Sequence, residues 1–336
     1  MGGLLIKSQF RPTWWLKSPH LQTFWPVFFA RQRFEGRKER FDLPDGDFVD
    51  LVWGEGDGPL VMVVHGLEGS IDSHYAAAMM NSLQMSGYSA VFMHFRGFSG
   101  EPNRFDRAYH SGDTADISAV AAHVVEVTGK SLQAMVGYSL GANAMLKWLG
   151  EAGSDATPRS AVAVSIPFRL ELAAKRLQQD GSRIYQSYLL RKMRAAYQRK
   201  FDKRPSPLDI DVADLKDFFQ FDDQVTAPLH GFDGVDDYYR RSSCRQYLGG
   251  IRKRTLIIHS SDDPFMYPYA APEPEELSEH VTLDYLARMN ACAIDGAAEE
   301  GFETNDPVSC IEKQNAKEFA CSTADLCLQV AECLAG

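Results

Sequence analysis

Between positions 132 and 149 the chain passes through a short apolar stretch, Ala134-Met135-Val136, and breaks at Gly137-Tyr138-Ser139-Leu140-Gly141. It then resumes as a helix-forming run, Ala142-Asn143-Ala144-Met145-Leu146-Lys147-Trp148-Leu149. Few folds accept that order. A strand that turns at once into a helix needs positions with almost no side chain on either side of the turn. The serine between the two glycines then stands clear of the sheet, at a helix N-terminus that favours developing negative charge. Gly-x-Ser-x-Gly alone is a weak pattern; the strand before it and the helix after it give it weight. The plain alternative is a strand–helix turn with no chemistry.

Similar strand-then-helix signals flank this stretch. Leu60-Val61-Met62-Val63-Val64 and Tyr88-Ser89-Ala90-Val91-Phe92-Met93 are continuous apolar runs, the mark of strands buried on both faces. Helices are predicted over 75–85 and 113–127, and further strands over 160–166, 255–259 and 281–285. Such alternation implies a mostly parallel sheet with right-handed crossovers. Ahead of it, Arg40-Phe41-Asp42-Leu43 and 48–53 flank Pro44-Asp45-Gly46-Asp47 and read as an antiparallel hairpin. Residues 168–248 interrupt the alternation with a helical, highly charged stretch. An insertion at the carboxyl edge of such a sheet lies over its binding crevice. It reads as a helical cap over Ser139; a second small domain without a gating role is the alternative. The resulting division is an aromatic and basic N-terminal arm (1–37), a first core segment (38–167), the cap (168–248), a second core segment (249–285) and a tail (286–336). The arm, with Trp14, Trp15, Phe24 and Trp25 among Pro12, Pro19 and Pro26, packs on the domain or forms an apolar surface near a substrate mouth or lipid.

Charge and composition narrow the classes. A formal charge of −10 over 336 residues argues against nucleic acid or an anionic membrane as the main partner. No run of apolar residues is long enough to span a bilayer, and positions 1–10 make a poor signal peptide. The six cysteines include no C-x-x-C pair and form no disulfide framework. A soluble protein of the reducing cytoplasm is the expectation.

A serine hydroxyl becomes a nucleophile when a base takes its proton, a further group orients the base, and donors hold the oxyanion. Ser139 is the candidate nucleophile. The oxyanion donors would be the backbone amides of Leu140 and of Leu67, in the loop after the earlier buried strand. The acid would come from Ser260-Ser261-Asp262-Asp263-Pro264, with Asp263 preferred and Asp262 the alternative.

Six motifs then carry a resemblance. His20-Leu21-Gln22-Thr23, His65-Gly66-Leu67-Glu68-Gly69-Ser70 and 94–103 (beginning His94-Phe95-Arg96-Gly97) are three of them. Tyr109-His110-Ser111-Gly112, the Ser139 pentapeptide and Asp262-Asp263-Pro264-Phe265-Met266 complete the set. In this order, over about residues 18–285, the chain resembles the YheT-like branch of the α/β-hydrolases. The resemblance implies an α/β-hydrolase fold: a mostly parallel central sheet flanked by helices, with a cap inserted before the late strands. It implies a serine hydrolase acting on carboxylic esters or lipids without a cofactor or metal, with Ser139 and Asp263 as two members of a triad. Ala142 stands where that family usually has glycine.

The larger departure is the base. The family's histidine follows the last strand in a Gly-Gly-His-x-Gly-Phe loop, whereas all nine histidines here lie at or before His280. His280 precedes the last strand and would sit at the opposite sheet edge; His65, His94 and His110 are nearer the crevice and read as loop-shaping. The tail holds five of the six cysteines, no histidine, and three basic residues against nine acidic ones. A reading out of the family's frame and a divergent genuine terminus are the two explanations. Its cysteines lack metal-ligand spacing. Loss of a triad histidine costs on the order of a million-fold in turnover. Impaired hydrolysis is therefore expected, the alternative being a non-catalytic small-molecule or lipid binder on the same scaffold.

Overall fold

The computed structural model describes residues 3–6, 18–29 and 32–286. The expectations for the tail beyond Leu286, and for Trp14 and Trp15, lie outside the described residues. In chain order the elements are β1 (Leu4–Ile6), α1 (Pro19–Phe29), β2 (Arg37–Asp42), β3 (Phe48–Trp53), β4 (Leu60–Val64), α2 (His74–Met85) and β5 (Ser89–Met93). There follow α3 (Ala115–Thr128), β6 (Leu132–Tyr138), α4 (Leu140–Ala152) and β7 (Ser160–Val164). The inserted helices are α5 (Leu170–Leu177), α6 (Arg183–Phe201), α7 (Phe218–Phe221), α8 (Ala227–His230) and α9 (Val235–Ser242). Strands β8 (Arg254–Ser260) and β9 (Val281–Leu286) close the described chain.

The nine strands form one sheet in the order β1-β9-β8-β7-β6-β4-β5-β3-β2. The sheet is mostly parallel: only β3 runs against the rest, pairing antiparallel with β2 in the hairpin around Asp45-Gly46 and with β5 on its other side. The continuous apolar runs have a direct cause. Side chains alternate across a strand, so in β4 Leu60, Met62 and Val64 enter the core on one face while Val61 and Val63 enter the core on the other. Both faces are covered, and no polar position is tolerated.

Two features of the arm go beyond the sequence reading. Within the arm, Leu4–Ile6 is a strand, pairing in parallel with β9. Helix α1 has Pro19 at its start and continues through Pro26, although proline lacks the amide that would bond back to residue 22.

Residues 170–239 bring a third apolar cluster, including Leu170, Leu177, Tyr185, Met193, Phe218 and Tyr239. The stretch Cys244–Gly250 returns to the sheet side: Cys244 and Leu248 join the main core. There its backbone is so close to α4 that a Cβ on Gly150 would lie 2.2 Å from the Tyr247 carbonyl oxygen. Because the central strands are parallel, β4, β6 and β8 all deliver their following loops to one edge, where the candidate residues gather. Among the described residues no helix is long and apolar enough to cross a membrane.

Candidate active site

Ser139 links β6 to α4 with φ 49° and ψ −116°, a conformation costly for a residue with a Cβ. The surroundings hold it there. Its amide donates to the Val164 carbonyl at the end of β7 (2.8 Å), and its carbonyl accepts the Asn143 amide (3.0 Å). The flanking glycines are sterically required. A Cβ on Gly137 would lie 2.7 Å from Cα of Ala142, and one on Gly141 would lie 2.2 Å from the His65 carbonyl oxygen. Ala142 itself is fully buried without difficulty. From Ala134 to Leu149, Ser139 is the one residue that is not buried.

The loop after β4 passes directly over this turn. Gly66 donates its amide to the Tyr75 hydroxyl (2.9 Å) and Glu68 donates to the Tyr109 hydroxyl (3.0 Å). Among the described residues the Leu67 amide between them, and that of Leu140, have no protein acceptor. His65 fastens the loop: its Nε2 accepts the Phe95 amide (3.0 Å), so the proton sits on Nδ1 and is given to the Gly66 carbonyl (2.7 Å). Burial, helped by His94, pushes its pKa down to about 3. His94 is spent likewise, accepting the Ile71 amide and donating to the Asp50 carbonyl.

Asp263 follows β8, is buried, and accepts the Phe265 amide at Oδ1 (2.9 Å). Burial pushes its pKa up to about 6, against that hydrogen bond and with Asp262 adding repulsion. Ser139, Leu67, Leu140 and Asp263 all line one cavity of about 1270 Å³. Asp262 does not: it is partly exposed and accepts the Ser260 hydroxyl (2.7 Å).

Among the described residues no histidine is hydrogen-bonded to Ser139 or to Asp263. His280 precedes β9, away from the edge that carries Ser139. His110 lines the cavity and accepts the Gly112 amide at Nδ1; its ring meets that of His230 at 4.9 Å. His230 donates from Nδ1 to the Thr226 carbonyl, and burial pushes its pKa down to about 4. His259 is buried beside the Phe168 ring (5.0 Å), with neither ring nitrogen partnered among the described residues.

Three features around the cavity escaped the sequence reading. Glu68, with φ 56°, turns its carboxyl into the cavity wall, and burial pushes its pKa up to about 7 against the pull of Lys192 and Arg199. Arg96 is buried in a bidentate pair with Asp116 (2.6 Å each) and also meets Asp45 and Asp47. Helix α6 roofs the cavity: the Ser182 hydroxyl just before it donates to the Pro264 carbonyl, and Lys192 donates to the Glu68 carbonyl. A lysine or arginine in a charged helix gives no signal of this, because its partner is set by long-range packing. Among the described residues no cluster of three or more metal-ligating side chains occurs.

Comparison with known proteins agrees with this fold. A sequence model of the alpha/beta hydrolase fold matches residues 59–287. The chain is 43% identical to "Putative esterase YheT" of Escherichia coli K12 over 82% of this chain and 83% of that one. It is 24% identical to phospholipase ABHD3 of Homo sapiens, over 80% and 69% of the two chains. Among solved structures it resembles the esterase Pf2001 of Pyrococcus furiosus, with a TM-score of 0.51 at 16% identity over 85% and 90% of the chains. That last likeness concerns the fold.

Proposed function

The chain belongs to the α/β-hydrolase family, in its YheT-like branch, and from that premise we propose a serine hydrolase of carboxylic esters. The observation that carries the reading is Ser139, unburied at a strained turn on the wall of a large cavity, with two unengaged amides alongside. In this reading the turn is a nucleophile elbow. Ser139 Oγ attacks the ester carbonyl as its proton passes to an imidazole, and the Leu67 and Leu140 amides take the charge on the carbonyl oxygen. The C–O bond to the alcohol then breaks, the alcohol leaves with that proton, and water activated by the same base releases the acid from the serine. The apolar wall from α5 to α8 takes the acyl chain, with the cap, residues 168–248, acting as a lid. Asp263 is the acid that would orient an imidazole; the cavity-lining position and burial favour it over Asp262.

The second reading is a small-molecule or lipid binder on the same scaffold. It is favoured by one specific observation: His65 and His94 spend both ring nitrogens on the backbone, and no histidine lies beyond position 280. The readings part on a fluorophosphonate probe. Covalent labelling lost in Ser139→Ala supports the hydrolase. Absence of labelling, with the fold intact by circular dichroism, supports the binder.

A further inference from the structure

A smaller hollow of about 470 Å³ shares a wall with the main cavity: Pro102, Asn103, Arg199 and Lys200 line both. Lys203 and Arg204 add two more cations to the hollow, against one acid, Asp202. Helix α6 joins the regions. Its start abuts the Asp263 loop through Ser182, and its middle meets the oxyanion loop through Lys192. Its end reaches the 103–107 loop through Lys200. From Lys192 to Lys200 is about 12 Å at 1.5 Å per residue.

Cations at a helix C-terminus often serve only the helix dipole. These do more. The Lys200 ammonium donates to the Asn103 side-chain carbonyl and the Arg107 carbonyl, neutral acceptors on the core rather than the last carbonyls of its own helix. Arg199 and Lys203 have neither hydrogen bond nor ion pair among the described residues. Arg204 donates its terminal nitrogens to the Arg104 and Phe105 carbonyls and lies 3.7 Å from Asp106. Its Nε is buried without a partner. Burial and the neighbouring Arg204 push the Lys200 pKa down to about 7 against the pull of Asp47 and Asp106, and Arg199 acts on Glu68 across the cavity wall. The positive charge left without a hydrogen-bonded carboxylate is that of Arg199 and Lys203, and an anion in the hollow would restore the full charge of Lys200.

We propose that this hollow is a subsite for a phosphate-type anion carried on the alcohol side of an acyl ester. The ligand is one amphiphile: its acyl chain lies along α5 and α7, its ester carbonyl at Ser139, and its phosphate against Arg199, Lys200 and Lys203. The ester's place rests on the serine-hydrolase reading; the anion's place does not.

The test is calorimetric titration of the full chain with octyl phosphate, octanol and inorganic phosphate. Octyl phosphate is expected to bind at least about tenfold more tightly than either of the others, and added salt to erode that preference. Arg199→Gln combined with Lys203→Gln, both at the surface, brings octyl phosphate down to the affinity of octanol. Equal binding of octyl phosphate and octanol overturns the subsite, as does a preference that survives the double substitution. Inorganic phosphate binding as tightly as octyl phosphate identifies a free-anion site and overturns the amphiphile. Fluorophosphonate labelling of the same samples separates the two proposals. Labelling without anion preference sinks the subsite alone, and anion preference without labelling sinks the hydrolase reading alone.

Discussion

Gly141 and His65 are in backbone contact: a Cβ on the glycine would lie 2.2 Å from the His65 carbonyl oxygen. The helix behind the serine and the loop carrying Leu67 are therefore seated directly on one another, and the spacing of the two candidate oxyanion donors depends on that seat. Gly141→Ala must push them apart. The expected cost is about 3 kcal/mol, the upper end of overpacking because neither side is a flexible side chain. Labelling of the fraction that stays folded should also slow. Gly150→Ala meets the Tyr247 carbonyl at the same distance but far from the serine. It should lower the melting temperature while leaving labelling of the folded fraction intact.

The strain at Ser139 gives a second prediction, of opposite sign for stability. With φ 49° the serine occupies a region that glycine enters freely. Ser139→Gly should gain roughly 1 kcal/mol in urea unfolding while abolishing labelling. Ser139→Ala keeps the strain and should show no such gain. A glycine variant no more stable than the alanine variant would mean that the turn relaxes without help.

How far these features could be read beforehand depends on how local their causes are. β4 and residues 134–136 of β6 were legible because burial on both faces leaves no polar residue in the run, and the Ser139 turn because its glycines are fixed by contacts close by. The short strand at Leu4–Ile6 was not, since three residues become a strand only when β9, far along the chain, offers its edge. Glu68 stands in the sequence only as one position of the 65–70 motif. Its burial is imposed by α6, whose Lys192 is 124 positions away in sequence. Arg96 likewise looked like part of a motif, while its partners Asp45, Asp47 and Asp116 come from two other segments.

His259 carries a third prediction. Its ring is fully enclosed, both nitrogens lack partners among the described residues, and burial pushes its pKa down to about 4. Below pH 6.5 the unfolded chain binds a proton that the folded chain refuses, so this residue makes stability fall as pH drops from 6.5 towards 4. His259→Phe removes the unpaired nitrogens and should stabilise at pH 7 by about 1–2 kcal/mol. At pH 5 the advantage should widen by about 2 kcal/mol more. Urea titrations at the two pH values measure both parts. A gap that does not widen with acid would show that His259 finds a proton-accepting partner.

If Ser139 and Asp263 lack an imidazole between them, a small one added from solution can occupy the gap. The cavity, at about 1270 Å³, has room for both imidazole and an ester. Turnover of a nitrophenyl ester should be very slow alone and rise at least about tenfold with imidazole, since a positioned base is worth roughly 10²–10⁴-fold. The rise should vanish in Ser139→Ala and shrink in Asp263→Asn. Stimulation that survives Ser139→Ala is solution catalysis by imidazole and would count against a vacant base position.

Arg96 supplies the final prediction, because its guanidinium, in the loop that follows β5, bridges the buried Asp116 and Asp47. The bidentate geometry with Asp116 engages Nε and one terminal nitrogen, and the other terminal nitrogen serves Asp45 and Asp47. Lysine cannot reproduce that fork. Arg96→Ala leaves buried carboxylates uncompensated and should cost about 3–5 kcal/mol; Arg96→Lys should recover only part of it. The pair Arg96→Met with Asp116→Leu should lose less than Arg96→Ala alone, since removing both charges removes the unpaired one. Asp47 retains the Asn103 amide and the Phe48 and Arg104 backbone amides as donors in that variant. Melting temperatures of the three variants decide it: a double variant less stable than Arg96→Ala would mean that the arginine holds the loop through Asp47 rather than Asp116.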